Sequence, residues 1–107
     1  MFSIIIPTFN NLDYLKLCIN SINKNSSFQH EIIVHINEGV DGTSQYLKNQ
    51  NIKTTFSKKN SGVCIAFNQA AKLASKKYLV LAHDDMYFCP EWDTVFSDEI
   101  KNYPDNK

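Results

Sequence analysis

The 107 residues suffice for about one small domain, since domains commonly run ~100–150 residues. A composition of 43% hydrophobic, 12% aromatic and 21% charged residues is globular and excludes disorder, collagen and fibre. Eleven Lys, with no Arg, balance eleven Asp plus Glu, so no bulk positive charge steers the chain to nucleic acid.

Phe2–Ile6 is a near-continuous β-branched run that Pro7 closes, which predicts a buried strand. Asn10 or Asn11 can cap a helix whose apolar residues Leu15, Cys18, Ile19 and Ile22 recur at helical spacing, and polar Asn23–Ser27 ends it. Glu31–Ile36 is a second strand, followed by a turn-rich loop over Asn37–Gly42. Asp41 or Thr43 can cap a short helix through Tyr46 and Leu47, which Asn49-Gln50-Asn51 breaks. Ile52–Phe56 is a weaker third strand, with Thr54 and Thr55 favouring extension. After the loop Lys58–Gly62, apolar positions 63, 67, 70 and 74 form one helical stripe. Tyr78–Ala82 is a fourth strand, His83-Asp84-Asp85 ends it, and Pro90 can open a last helix carrying Trp92, Val95, Phe96 and Ile100. Asn102–Lys107 are expected to fray.

The order β-α-β-α-β-α-β-α implies right-handed crossovers and a Rossmann-like α/β fold, with a mostly parallel sheet of about four strands and helices on both faces. No linker or repeat marks a second domain. No apolar run approaches the ~20 residues that span a bilayer, so no transmembrane segment is expected, and the N-terminus lacks the pattern of a signal peptide. Cys18, Cys64 and Cys89 are far apart and form no CxxC pair, which favours a reducing cytoplasm over a disulfide framework. His30, His35 and His83 do not fall at zinc-ligand spacing with them.

In such sheets ligands bind beyond the carboxyl ends of the strands. Those ends carry Pro7-Thr8-Phe9-Asn10, Asn37-Glu38 and His83-Asp84-Asp85, so polar and acidic residues collect along one edge. Adjacent carboxylates repel each other unless a positive group lies beside them, and such oxygens suit Mg²⁺ or Mn²⁺ shared with a phosphate. On the pair alone, a capping Asp beside a solvated one explains Asp84-Asp85 about as well. Asn37-Glu38 offers groups for a nucleobase edge and equally reads as a turn. Asn60-Ser61-Gly62 precedes a helix, where its amides can face a phosphate, although the spacing is not that of a P-loop. Asp41-Gly42-Thr43 reads as a turn and helix cap. His83 reads as a spacer more readily than as a metal ligand or proton carrier. Trp92, Phe88 and Tyr87 read as core or rim packing.

Taken in series, these motifs resemble the N-terminal, nucleotide-sugar-binding half of a family 2 glycosyltransferase with the GT-A fold. Ser3-Ile4-Ile5-Ile6-Pro7-Thr8-Phe9-Asn10 is similar to the family's S-I-I-I-P-T-Y-N start. Glu31–Val34 with Asn37–Thr43 resembles its E-I-I-V-V-D-D-G-S-x-D-G-T segment. Asn60, Gly62, Asn68 and Ala71 match its N-x-G helix, and Tyr78–Leu81 with Asp84, Asp85 and Pro90 resembles its metal-binding strand end. The likeness runs from about residue 2 to 96. Phe9 stands for the usual Tyr, Asn37 for an Asp, the following loop is one residue short, and Ala82-His83 replaces an Asp and a small residue.

The resemblance implies a metal-dependent, inverting glycosyltransferase whose donor is linked to UDP, GDP or dTDP. Pro7, Thr8 and Asn10 are then expected to line the nucleoside pocket, Asn37 and Glu38 to meet the base, and Asn60 and Gly62 to approach the nucleotide. Asp84 is expected at the ribose or in the metal's water shell, and Asp85 on Mn²⁺ or Mg²⁺. No catalytic base is assigned. The acceptor, a saccharide, lipid or protein, belongs to a half expected beyond the chain end, so residues 1–107 are expected to be a single donor domain truncated before it. The alternative is a non-catalytic nucleotide or nucleotide-sugar binding module, or an inactive fragment lacking the catalytic base. A cytoplasmic location is expected, with peripheral attachment at the inner face of a membrane compatible with it. An exposed sheet edge predicts self-association. A receiver-like signalling domain is disfavoured because its acidic pair belongs after the first strand.

Overall fold

The computed structural model describes residues 1–60 and 62–102. Eight elements follow in alternation: β1 (Phe2–Phe9), α1 (Leu12–Asn25), β2 (Glu31–Asn37), α2 (Thr43–Asn49), β3 (Lys53–Ser57), α3 (Val63–Ala71), β4 (Tyr78–Leu81) and α4 (Trp92–Lys101). The sheet runs β3-β2-β1-β4 with every pairing parallel, so β1 is central and its carboxyl end lies beside those of β2 and β4. This is the α/β architecture expected from the alternation, with helices on both faces.

The two faces follow from the period-2 alternation of strand side chains. Phe2, Ile4 and Ile6 of β1 and Val34 and Ile36 of β2 join Leu15, Cys18, Ile19 and Ile22 of α1, Leu47 of α2 and Trp92 of α4 in the main core. The opposite face buries Ile5 and Ile33 against Ala70 of α3, with Phe67, Ala71 and Ala74 packed at the margin. Leu79 and Leu81 stay about half exposed on β4, which is an edge strand. No helix among the described residues is long and apolar enough to cross a membrane.

Several local expectations are corrected. Pro7 does not close β1, which continues to Phe9. Ile5 accepts the N–H of Ala82 from the β4 side, so the residue two further on faces the same way, where β4 has already ended. The missing N–H of Pro7 therefore costs no ladder bond. Val63 is not on the buried stripe of α3; the buried positions are Ala66 and Ala70, while Val63 is exposed. In α4, Trp92 is buried but Val95 and Phe96 are exposed, so Pro90 precedes a helix with one well-packed aromatic. Neither Asn10 nor Asn11 caps α1 with its side chain. Asp41 does so from across the sheet edge, accepting the N–H of Leu12 at 3.0 Å through Oδ2 while Oδ1 takes the N–H and hydroxyl of Thr43. One carboxylate thus serves the starts of two helices. Asn102 forms the C-cap of α4, and the fraying expected for 103–107 lies outside the described residues.

Candidate functional site

A cleft of about 310 Å³ opens at the carboxyl ends of the strands. Pro7, Thr8 and Phe9 come to it from β1, Asn11 from the β1–α1 turn, Asn37 from β2, Asn60 and Gly62 from the β3–α3 connection, Val63 from the start of α3, and His83 and Asp84 from the residues after β4. Six of the residues singled out from the sequence therefore share one cleft: Pro7, Thr8, Asn37, Asn60, Gly62 and Asp84. Asn10, Glu38 and Asp85 are not among its lining.

The cleft is braced by hydrogen bonds between elements distant in sequence. Thr8 donates its hydroxyl to Oδ2 of Asp84 at 2.8 Å, joining the ends of β1 and β4. Asn10 accepts the N–H of Val40 through Oδ1 at 3.0 Å, so its side chain ties the β1–α1 turn to the β2–α2 loop. Glu38 accepts the N–H of Asn60 at 3.3 Å. Gly62 gives its N–H to Oδ1 of Asn60 at 3.1 Å, so this amide is engaged within its own turn at the start of α3.

The backbone at this edge is unusual. Asn10, at φ 47°, and Glu38, at φ 65°, are left-handed without being glycine, and Gly39 beside them lies at φ 67°. Non-glycine residues in that region each cost of order 1 kcal/mol and gather at functional sites.

Electrostatics distinguish the groups here. Burial, and then the carboxylates of Asp84 and Asp85, push the Cys18 thiol up to about 12. Burial works to raise the Asp41 carboxyl, but bonds from Thr43 and from the Leu12 N–H outweigh it and hold the group below the ordinary carboxylate value. Among the described residues, no three His, Cys, Asp or Glu gather to form a protein-only metal cage.

Sequence reasoning assigned no site role to Asn11 and Val63, which it read as a helix cap and a stripe position and which line the cleft. His35 is fully buried at a polar break in the apolar run Ile32–Ile36.

Comparisons with known proteins agree on one relationship. The model of glycosyl transferase family 2 matches residues 3–106. The structure of S. aureus TarS 1-349 superposes with a TM-score of 0.83 at 25% identity, covering 94% of this chain and 32% of that one. The same protein in complex with UDP-GlcNAc gives a TM-score of 0.82 at 27% identity over 94% of this chain and 31% of that one. The mannosyltransferase PcManGT from Pyrobaculum calidifontis, in complex with GDP-Man and Mn²⁺, shares the fold with a TM-score of 0.72 at 20% identity, over 88% of this chain and 30% of that one. This chain thus spans about a third of the length of these structures. No curated protein matches it significantly.

Proposed function

The chain belongs to glycosyl transferase family 2, and we propose that its cleft holds the nucleoside diphosphate of a sugar donor, together with Mn²⁺ or Mg²⁺, for transfer of the sugar to an acceptor with inversion. The observation that carries this reading is the bond from Thr8 to Asp84, which draws the first-strand motif and the acidic motif into the cleft that Asn37 and Asn60 line. The TarS complex with UDP-GlcNAc supports a uridine donor as the first to test.

Asp84 and Asp85 fit a hard divalent cation. They supply carboxylate oxygens without completing a cage, which suits an ion that fills its shell with diphosphate oxygens and water. The chemistry such a cation supplies is neutralisation of the charge that builds on the departing diphosphate. Thr8 orients the Asp84 carboxylate through Oδ2. Pro7 and Phe9 give the cleft an apolar wall, and the Asn37 amide provides hydrogen-bonding groups for a base edge. No residue of the chain is assigned as the base for the acceptor hydroxyl. The three free cysteines suit a reducing compartment. The open β4 edge, with Leu79 and Leu81 exposed, supports self-association at raised concentration, which light scattering reads directly.

Calorimetric titration with UDP, GDP and dTDP, each with and without Mn²⁺, tests the site. One nucleotide is expected to bind in a Mn²⁺-dependent way, and Asp85→Ala is expected to weaken it by roughly tenfold or more. Asp85 is exposed, so this variant leaves the fold intact. Failure of all three nucleotides to bind the folded chain overturns the reading.

A further inference from the structure

We propose that the β4 edge is the interface of a two-fold dimer, in which β4 of a second copy of this chain pairs antiparallel with it in one register. The proposal deepens the self-association read from that edge and does not depend on what the cleft binds.

Ala82 gives its N–H to Ile5 of β1 at 2.9 Å, and Tyr78–Leu81 run parallel to Phe2–Ile5. Backbone groups alternate along a strand, so Val80 faces β1 as Ala82 does, and Leu79 and Leu81 aim their N–H and C=O groups out of the sheet. The side chains of Leu79 and Leu81 share the face of Ser3 and Ile5, their neighbours in register, and are 46% and 54% exposed. Along the other face, Phe2, Tyr78, Phe96 and Ile100 line an apolar groove of about 480 Å³ against the strand. Open edge amides and exposed leucines, on a strand with no charge within it, form a surface for pairing with another strand.

Charge selects the partner and the direction. Lys76 and Lys77 precede β4, Asp84 and Asp85 follow it, and Lys76, Lys77 and Asp85 are exposed. Among the described residues none of these four is in an ion pair. One end of the strand is thus positive and the other negative. A second copy laid antiparallel sets lysines against aspartates at both ends, whereas one laid parallel sets like on like. β3, the other edge strand, begins at Lys53 and is followed by Lys58-Lys59, so self-pairing there brings lysines together in either direction. The open amides select the register. Leu79 of each copy opposite Leu81 of the other uses all their edge N–H and C=O groups, places Val80 on the two-fold axis and carries Lys76 opposite the partner's Asp84. Such a contact uses the same patch on both copies and closes at two. A four-residue strand from each side makes a small interface, so the dimer is reversible.

Sedimentation equilibrium of the metal-free chain over a wide concentration range reads the association. A monomer–dimer equilibrium is expected, weakened as NaCl is raised. The double change Lys76→Glu with Lys77→Glu, and separately Asp85→Lys, are each expected to weaken dimerisation by roughly tenfold. All three residues are exposed, and circular dichroism checks that the variants fold. Mixed in equal amounts, the two variants are expected to associate more tightly than either alone, because their opposite changes face each other across the two-fold axis. Leu79→Lys is expected to abolish dimerisation, and it decides should a charge variant not fold. A wild-type chain that stays monomeric overturns the proposal and the self-association reading with it. Association that the charge variants do not weaken, or that their mixture does not restore, places the contact elsewhere and overturns this interface alone, as does growth beyond two copies.

Discussion

His30 and Asp93 meet at 2.8 Å with both side chains withdrawn from solvent. The second ring nitrogen, Nδ1, accepts the N–H of Phe2 at 3.0 Å, which leaves Nε2 to carry the proton toward Asp93. Neither nitrogen is available for proton transfer to a ligand. The pair is a brace: Asp93 also accepts the N–H groups of Ser27 and Phe28, so the start of β1, the α1–β2 loop and the first turn of α4 converge on one carboxylate.

Removing that carboxylate is expected to be among the costliest single changes. Asp93→Ala leaves the ring N–H of the buried His30 side chain and the N–H groups of Ser27 and Phe28 without their acceptor, and is expected to lower stability by about 3 kcal/mol in urea unfolding.

Acid sensitivity follows from the same kind of group. Burial raises the Asp93 carboxyl, but the N–H groups of Phe28 and Ser27 and the His30 ring outweigh it, and the folded value lies below 3.8. Glu31 is likewise raised by burial and lowered further by Lys53, Ser3 and Ser75, to about 2 against an ordinary 4.5. A depressed folded pKa gives stability that is present above the ordinary value and lost as pH falls through the folded one. Stability is therefore expected to decline from about pH 5 toward pH 2, and Glu31→Gln to flatten that slope in urea titrations at stepped pH.

The cysteines are expected to separate by reactivity. Cys18 is buried with its thiol at about 12, whereas Cys64 and Cys89 are exposed. A thiol reagent at about pH 8 is expected to modify those two in the native chain and Cys18 only after denaturation. Mass spectrometry of the native adduct gives the count.

Two glycines at positive φ differ in surroundings. A Cβ on Gly39 meets Ile36 Cγ2 at 2.5 Å, while one on Gly42 has Leu12 Cδ2 at an ordinary 3.9 Å. Both changes to Ala carry left-handed strain of about 1 kcal/mol. Gly39→Ala is expected to cost more than Gly42→Ala by a further ~1 kcal/mol or more, read as the difference in denaturant midpoint.

Thr8→Val keeps shape and removes the donor to Asp84. On the nucleotide reading it is expected to weaken Mn²⁺-dependent binding by roughly tenfold, with a stability change within about 1.5 kcal/mol. Calorimetry and thermal unfolding on the same sample separate the two effects.

The alternation of strands and helices was legible because each buried strand carries a dense apolar run and α1 keeps its 3.6 period through Leu15, Cys18, Ile19 and Ile22. The gathering of Pro7, Thr8, Asn37 and Asp84 at one edge followed from parallel topology alone. Tertiary context hid the rest. Pro7 stays within β1 because its neighbour on that side has already ended, which no local pattern reveals. The cap on α1 comes from Asp41, a residue 29 positions away. Val63 follows the helical period, but with α3 alone packing on its side of the sheet, only Ala66 and Ala70 reach burial. His35 shows in the sequence as a polar break in a strand, while its bonds to Thr55 and Ser57 depend on register between strands.

The strand order β3-β2-β1-β4 also sets a timetable for synthesis. β1, β2 and β3 leave the ribosome in succession and can pair as they emerge, whereas the outer edge of β1 waits for β4, the latest of these four strands. The bond from Thr8 to Asp84 spans 76 positions and closes only after that docking. A nascent chain interrupted before β4 presents β1 as a bare edge and lacks one wall of the cleft. Ligand affinity is therefore a census of chains in which β4 has docked, and a ligand that grips both strand ends selects for them.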